Sequence, residues 1–566
     1  MVLAKCNSGT WDMSDSEYSP GDYRAPIKDI LFALEHAGEA GRLTGWDGEF
    51  NAEILKHSVR FVEGVIAPTE PDLDTQPPRL INGRVIVSPL LAKNVKHFTD
   101  GGWYGLNVPK KLGGQGLPTV ISNILFEMIA GASLNTFMVT SCATAALKLL
   151  VSEGSRDQQE RYISGILSGE YNTTIVLSEP QAGSDLRLIQ TTGTASQEGG
   201  WRIHGTKVFC SGADHDMNPN ILHCILAQTE GTPQGAKGLS LFLCPAVRPD
   251  GTRNNISVTR IEDKMGLHAA PTCQVSFDGA EAEMLGQSGE GLKRMFTMMN
   301  AMRIDVAIQG VGLCQIALQR SMAYAESRIQ GRSISTNAAG HEAVPINQHG
   351  DIRRMLLSQD ALVKGTRALV YRTAIELELD KNSKLAAFLL PVCKVFASDA
   401  ACDAADMAIQ IHGGYGYVRD YQIEQILRDA RVCRIFEGAN GLHATNLATS
   451  LRKPFGAELA DAFELDIISA IDATDPEVAK PLFDALERWR QSKDLVAAMT
   501  DPGMVAYDFM KLTGLIAFSA SWSRLEAASS QADDPEHIRK LAKYVRDRML
   551  PEAEFYFYRV NSSPTM

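Results

Sequence analysis

Between about Ile27 and Glu170, apolar residues recur at intervals of three and four, as in Val59 and Val62 or in Leu125, Met128 and Ile129. That interval keeps one face of a helix apolar and predicts a helical domain over residues 24–172. Ahead of it, residues 7–20 are polar and rich in Gly, Ser and Asp, so residues 1–23 read as a flexible leader. Between residues 173 and 282 the pattern changes to short β-rich runs: Thr173–Leu177, Trp201–Phe209, Ile221–Ala227, Leu239–Leu243, Ile256–Arg260 and Thr272–Phe277. Gly and Pro punctuate these runs, and Gly199-Gly200 fits a hairpin turn, so this block predicts a compact β-barrel or sandwich.

Helical spacing returns at Gly291, with long Ala/Met/Leu-rich stretches at Ala361–Leu379 and Leu385–Ile411, and predicts an antiparallel bundle over residues 283–453. Pro454 and Gly456 mark a further boundary. Residues 454–566 are again helical in period, interrupted at Pro476, Pro502 and Pro535. The expected fold is α+β, with an N-terminal helical domain, a middle β domain, a four-helix bundle and an additional C-terminal helical domain.

Composition narrows the functions such a chain can serve. The 566 residues are 45% hydrophobic, which excludes full disorder. With 55 Lys+Arg against 67 Asp+Glu, the net charge of −12 provides no global basic field for nucleic acid or an anionic membrane. Residues 456–566 carry 12 Lys/Arg and 19 Asp/Glu, so −7 of that charge lies in the last fifth of the chain. The 10 cysteines occur singly and mostly in apolar runs, which reads as free thiols of a reducing compartment and not as disulfides or a zinc site. No signal peptide and no stretch near ~20 uncharged apolar residues is visible. The expectation is a cytoplasmic protein without a membrane span.

Two glycine-containing stretches carry candidate chemistry. One is Leu177-Ser178-Glu179-Pro180-Gln181-Ala182-Gly183-Ser184-Asp185, followed by the strand that ends Lys207-Val208-Phe209-Cys210-Ser211. The other is Ala408-Ile409-Gln410-Ile411-His412-Gly413-Gly414-Tyr415-Gly416-Tyr417, where paired glycines let backbone N–H groups approach a ligand's phosphate or ring. Taken singly, the first is a domain-junction turn and the second a helix C-cap. Neither has the GxGxxG form, so a Rossmann site is not indicated.

These stretches, together with Arg428-Asp429-Ala430-Arg431, Arg434-Ile435-Phe436-Glu437-Gly438-Ala439-Asn440, Trp103-Tyr104-Gly105-Leu106-Asn107-Val108-Pro109 and Gly113-Gly114-Gln115-Gly116-Leu117, resemble the acyl-CoA dehydrogenase family in family order over roughly residues 24 to 450. Asp22-Tyr23-Arg24-Ala25-Pro26, Lys264-Met265-Gly266-Leu267-His268 and Arg328-Ile329-Gln330-Gly331-Arg332, with the helical tail, look most like the longer branch that includes 3-methylmercaptopropionyl-CoA dehydrogenases. The resemblance implies the family's fold and FAD-dependent α,β-dehydrogenation of an acyl-CoA thioester, with electron-transfer flavoprotein as acceptor. It also implies a homodimer, because in long relatives such a tail covers the face that shorter members use to form tetramers.

By the same resemblance, Glu437 occupies the position of the base that takes the α-proton, while hydride passes from Cβ to flavin N5. Apolar Ile435, Phe436 and Ala439 would exclude water and raise its pKa. Ser178 corresponds to a hydroxyl residue near the flavin ring, with Ser184 of the same stretch grouped among the cofactor contacts. Phe209 and Ser211 correspond to residues flanking the ring. Arg328 corresponds to an Arg that reaches the FAD pyrophosphate across the dimer interface, and Gln410, Gly413 and Gly414 to contacts from the same partner. Arg303, Phe436 and Gly438 match the acyl-CoA site. Taken alone, Glu437 would read as a solvated loop carboxylate, Arg328 as a surface cation and Arg303 as a helix-packing residue.

The chain also departs from the family pattern. Phe436 replaces a frequent Tyr, Ala439 replaces a Thr that contacts flavin, and Gln330-Gly331-Arg332 replaces Gln-Phe-Gly, so weakened cofactor retention is one expectation. Met302 stands where some relatives place an alternative Glu base. His412 and His443 lack metal-ligand spacing and read as hydrogen-bonding or packing residues. Met295, Met298, Met299 and Met302 form a helical stripe read as core, and Glu554-Phe555-Tyr556-Phe557-Tyr558-Arg559 reads as a packed segment. Two alternatives stand beside the dehydrogenase: an acyl-CoA oxidase using oxygen, and a binding protein on the same fold. The acyl group itself, whether methylthiopropionyl, straight-chain or aryl, is not legible.

Overall fold

The computed structural model describes residues 23–197, 199–332 and 343–562. The expected leader lies outside them apart from Tyr23, which is 3% exposed and packs at Gly131 in the core.

The first domain is built from the helices Ile27–His36, Gly48–Phe61, Pro89–Asp100, Thr119–Ala132 and Leu134–Glu153. Short polar side chains start several of them: Asp47 accepts the Phe50 N–H at 3.0 Å, and Ser133 accepts that of Thr136 at 3.2 Å. Phe98 packs with Phe61, Tyr104 and Phe126 in an aromatic core. The expectation of unbroken helix is corrected at one place, where β1 (Arg79–Ile81) and β2 (Arg84–Ile86) form an antiparallel hairpin. Asn82 and Gly83, with φ of 50° and 76°, supply the turn, and an Asn-Gly pair is well suited to two successive positive φ values.

The middle domain contains β3 (Tyr171–Val176), β4 (Thr192–Ala195), β5 (Trp201–Ser211), β6 (Asn220–Thr229), β7 (Leu239–Pro245), β8 (Ile256–Ile261) and β9 (Thr272–Leu285). The pairings β6–β4–β5–β9–β7 return to β6, so five strands close into a barrel. β3 lies parallel to β6 outside that ring, and β8 pairs with β9. Every residue of β6 is buried. The six expected runs are strands; β4 is additional, and Gly199-Gly200 lies in its turn to β5.

Three long helices, Gly291–Ser327, Gly350–Leu379 and Lys384–His412, form the bundle with Asn440–Ser450. The absence of any membrane-length apolar stretch is also corrected. Leu134–Glu153, Gly291–Ser327 and Lys384–His412 are long and apolar enough to cross a membrane, but 78% of each apolar window is buried within the fold. The Met stripe belongs to this core, with Met295 and Met298 fully covered and Met299 and Met302 packed against it. Arg367 pairs with Glu127 at 2.8 Å, tying the bundle to the first domain through a fully buried ion pair.

The boundary prolines of the last domain start helices and do not break them, and Pro481 is carried inside one. Pro454 and Pro476 are first residues of Pro454–Asp472 and Pro476–Ala498, Pro502 precedes Gly503–Ala527, and Pro535 opens Pro535–Tyr544. A first-turn N–H has no helical acceptor, so proline forfeits nothing there. This domain shares its core with the bundle: Phe388 stacks on Phe463, and Trp522 donates to the Ala361 carbonyl at 3.1 Å. The terminal aromatic run lies on Glu552–Asn561, which buries Ala553 and Val560 but leaves Phe555 and Tyr558 56% and 60% exposed, so it is only partly packed.

Candidate active site

The first glycine-containing stretch is anchored to the barrel by a buried charge pair. Lys207 and Glu179, 0% and 3% exposed, meet at 2.9 Å. Lys207 Nζ also donates to the Leu177 carbonyl at 2.9 Å, and the Ser178 carbonyl accepts the Val208 N–H at 2.9 Å. Glu179 takes further N–H bonds from Gln190 and Thr191. Burial alone would raise this carboxyl, yet Lys207 and the amides hold it down at about 2. Beside the clamp, the β5–β9 register slips between Lys207 and Cys210. At that bulge Phe209 adopts φ 57° and stands 68% exposed, since a bulge re-aims the residue it frees. Ser178 and Ser211 are partly buried at the two ends of this clamp, whereas Ser184 is exposed on the loop beyond it.

Glu437 lies between the short helical turn Arg431–Arg434 and the helix Asn440–Ser450. Its φ of 55° is in the left-handed region, which costs a non-glycine residue roughly 1–3 kcal/mol and survives only where neighbours hold it. They do so on both sides: His443 Nε2 donates to the Glu437 carbonyl at 3.0 Å, and Lys394 Nζ donates to the Gly438 carbonyl at 2.7 Å. Gly438, at φ 93°, is required twice over, since a Cβ there would approach His443 Nε2 to 2.7 Å.

Among the described residues nothing hydrogen-bonds the Glu437 carboxylate or takes its backbone N–H. Burial pushes this carboxyl up to about 7, against the opposing pull of Arg303 and Lys394 and with a further push from Asp305. Arg303, anchored at 3.0 Å to Asn300, therefore belongs to the Glu437 surroundings, as does partly buried Phe436. Burial raises the Cys142 thiol of the first domain to about 12, with a further push from the Glu437 charge. The site thus combines an unpaired carboxylate near neutrality with two cations held close to it.

The second glycine-containing stretch caps Lys384–His412. It opens onto a cavity of ≈790 Å³ lined by Arg328, Gly331, His349, Gly413, Gly414 and Tyr415, among others. The Arg328 guanidinium lies 5.5 Å from the Tyr415 ring centroid. A Cβ on Gly413 or Gly414 would meet nothing within 4 Å, so the chain presents bare backbone there. Gln410 is exposed on the helix and lies outside this lining; Ser178, Phe209 and Ser211 also lie outside it. His412 is a packing residue, stacked on Tyr324 at 4.2 Å and bonded to the Ala408 carbonyl, and His443 is the loop brace described above.

Sequence reading passed over Glu179, Lys207, Lys394, Asp305 and Asp399. A visible signal exists for Lys394 and Asp399: both interrupt the apolar first half of Lys384–His412, where a charge is retained only with partners. Among the described residues no cluster of His, Cys, Asp and Glu could hold a metal ion.

Residues 51–170, 174–280 and 289–451 match the sequence models of the acyl-CoA dehydrogenase N-terminal, middle and C-terminal domains. A 3-methylmercaptopropionyl-CoA dehydrogenase of Ruegeria pomeroyi is 32% identical over 90% of this chain and 92% of its own. The broad-specificity linear acyl-CoA dehydrogenase FadE5 of Mycobacterium tuberculosis is 30% identical over 75% and 74%. Among solved structures, Caenorhabditis elegans ACDH-11 in complex with C11-CoA aligns with a TM-score of 0.78 at 19% identity, over 96% of this chain and 94% of that one. An acyl-CoA dehydrogenase complexed with FAD from Bacillus anthracis aligns at 0.70 and 20%, over 92% and 93%.

Proposed function

The chain belongs to the acyl-CoA dehydrogenase family, and we propose that Glu437 is the base of its FAD-dependent α,β-dehydrogenation of an acyl-CoA thioester. The observation that carries this role is the unpaired Glu437 carboxylate, raised to about 7 beside Arg303 and Lys394. An α-proton of a thioester is weakly acidic, so its removal needs a carboxylate whose pKa lies near the working pH. As Glu437 takes that proton, charge develops on the thioester oxygen, and the free Glu437 N–H is a donor suited to stabilise it. Lys394 and His443 hold the loop in its left-handed turn. FAD supplies the acceptor for the hydride that leaves Cβ.

The residues present fit that cofactor. Ser178, Ser211 and exposed Phe209 frame the barrel edge where a flat ring system would lie. Arg328 provides the cation that a pyrophosphate needs, and the Gly413-Gly414 backbone, bare of side chains, lets one approach closely. These two sets do not share one cavity, which supports a homodimer in which Arg328 and the glycines serve the partner's FAD. Met322, Ile329 and Tyr417, exposed by 51%, 54% and 84% near that cavity, support the same reading. The nine described cysteines are all buried and free, which supports a cytoplasmic protein.

For the acyl group we propose a short chain, with 3-methylmercaptopropionyl-CoA the first candidate, because the relative of that name spans nearly the whole chain. Electron-transfer flavoprotein is the proposed acceptor. An anaerobic panel of acyl-CoA thioesters, followed by flavin bleaching, is expected to show fastest reduction with short acyl groups. Preference for long or aryl groups would overturn the choice, and rapid reoxidation of reduced enzyme by oxygen would favour an oxidase.

The rate should also report the base. Glu437 acts only when deprotonated, and its folded value lies above the ordinary carboxyl range. kcat/KM is therefore expected to fall as pH drops through about 7 and to level off above it. A limb at the ordinary carboxyl value, about 4.3, would place the base elsewhere.

A further inference from the structure

The matched family models end at residue 451, yet the helices beyond it reach the base loop through one buried carboxylate. Asp399, 2% exposed on Lys384–His412, divides its two oxygens between the loop and the added domain. Oδ1 pairs with Arg434 Nε at 2.8 Å and accepts from Asn440 Nδ2 at 3.1 Å. Those two residues flank the segment that carries Glu437. Oδ2 accepts from Tyr507 Oη at 2.8 Å and from Lys511 Nζ at 3.1 Å, one turn apart on Gly503–Ala527. Asn440 returns to the loop from below, since its Oδ1 accepts from Lys394, whose Nζ also holds the Gly438 carbonyl.

We propose that Tyr507 and Lys511 of the added C-terminal domain are positioning residues for Glu437, acting through Asp399 on Arg434 and Asn440. The inference rests on Glu437 being the base. Its physical content is a balance of charge and geometry. Asp399 faces Arg434 on one side, and without Lys511 and Tyr507 the other oxygen is buried with no donor. A buried carboxylate in that state turns toward the donors it retains. Arg434 and Asn440 would follow it, and the left-handed turn between them has no intrinsic preference for its shape. The titratable and charged groups around Glu437 are Arg303 and Asp305 from Gly291–Ser327, Lys394 from Lys384–His412, Cys142 from Leu134–Glu153 and His443 from Asn440–Ser450, which donates to its carbonyl. A displaced loop loses the burial that raises Glu437.

The test uses the full-length holoenzyme carrying Tyr507→Phe with Lys511→Met. Anaerobic flavin reduction at saturating acyl-CoA is expected to fall about 10- to 100-fold, the range set by misplacing a reacting group by about an ångström. KM should change little, and the acid limb near pH 7 should move to lower pH. Lys511→Arg, which keeps the charge, should restore most of the rate to a Lys511→Met enzyme. An Ile538→Val enzyme, altered in the core of the same domain away from Asp399, should keep the parent rate and limb. If the double variant does not fold, Tyr507→Phe alone removes one oxygen and should move rate and limb in the same directions. A folded variant with parent rate and parent limb overturns the proposal. Full activity of Glu437→Gln would instead overturn the base assignment beneath it.

Discussion

Glu437→Gln is expected to reduce the rate of anaerobic flavin bleaching by about 10²- to 10⁴-fold, the range over which a positioned base contributes to proton transfer. The amide has the volume and shape of the carboxyl, so the left-handed turn, the His443 bond to the carbonyl of residue 437 and the Lys394 bond to Gly438 all persist. Bound FAD and acyl-CoA affinity should therefore survive, and the loss should fall on kcat. Stability offers a second, independent reading. The folded pKa of Glu437, about 7, lies above the unfolded value of about 4.3, so ionising this group opposes folding as pH rises between them and most fully above 7. The amide removes that opposition, and the variant should melt no lower than the parent at pH 8. A variant that bleaches at the parent rate would transfer the role of base to another group, with Asp305 the next carboxyl in the same surroundings.

What the sequence made legible divides along physical lines. Apolar periodicity is a property of every residue in an element, so the helices of the first domain, the bundle helices and six of the seven middle-domain strands could all be read from it. β1 and β2 have only three residues each, too few for a period. Their signal was the Asn82-Gly83 turn between them. β4 is four residues long and escaped for the same reason. Glu437, Phe209 and Arg328 were legible as motif positions, but the devices that set their geometry were not. The bulge that frees Phe209 exists only in the pairing of β5 with β9, where Lys207 meets Val275 and Cys210 meets Cys273. The Asp399 link joins three segments that no local pattern connects. The membrane-length helices escape for another reason: a charge such as Lys148, Arg320 or Lys394 interrupts each uncharged run, although the helix around it stays apolar.

Lys207→Met is expected to be the most destabilising of the substitutions considered, and to take bound flavin with it. Lys207 is fully buried, and its ammonium is divided among the Glu179 carboxylate and the Leu177 and Leu226 carbonyls. Removing one partner of a buried ion pair leaves the other uncompensated and typically costs about 3–5 kcal/mol. Glu179 would keep its bonds from Gln190 and Thr191, but the charge holding it at about 2 would be gone. Its folded pKa would then rise, and the cost would lessen as pH falls and the carboxyl takes up a proton. The urea midpoint should drop sharply at pH 8 and less at pH 5. Adding Glu179→Gln to Lys207→Met removes the stranded charge altogether and should restore most of the stability. Flavin content separates this clamp from ordinary core packing. Ser178 and Phe209 are held on either side of the pair, so the single variant should be purified with less FAD per chain than the double variant at matched stability. A single variant with parent stability and full flavin would show that the barrel positions these residues without the Glu179–Lys207 pair.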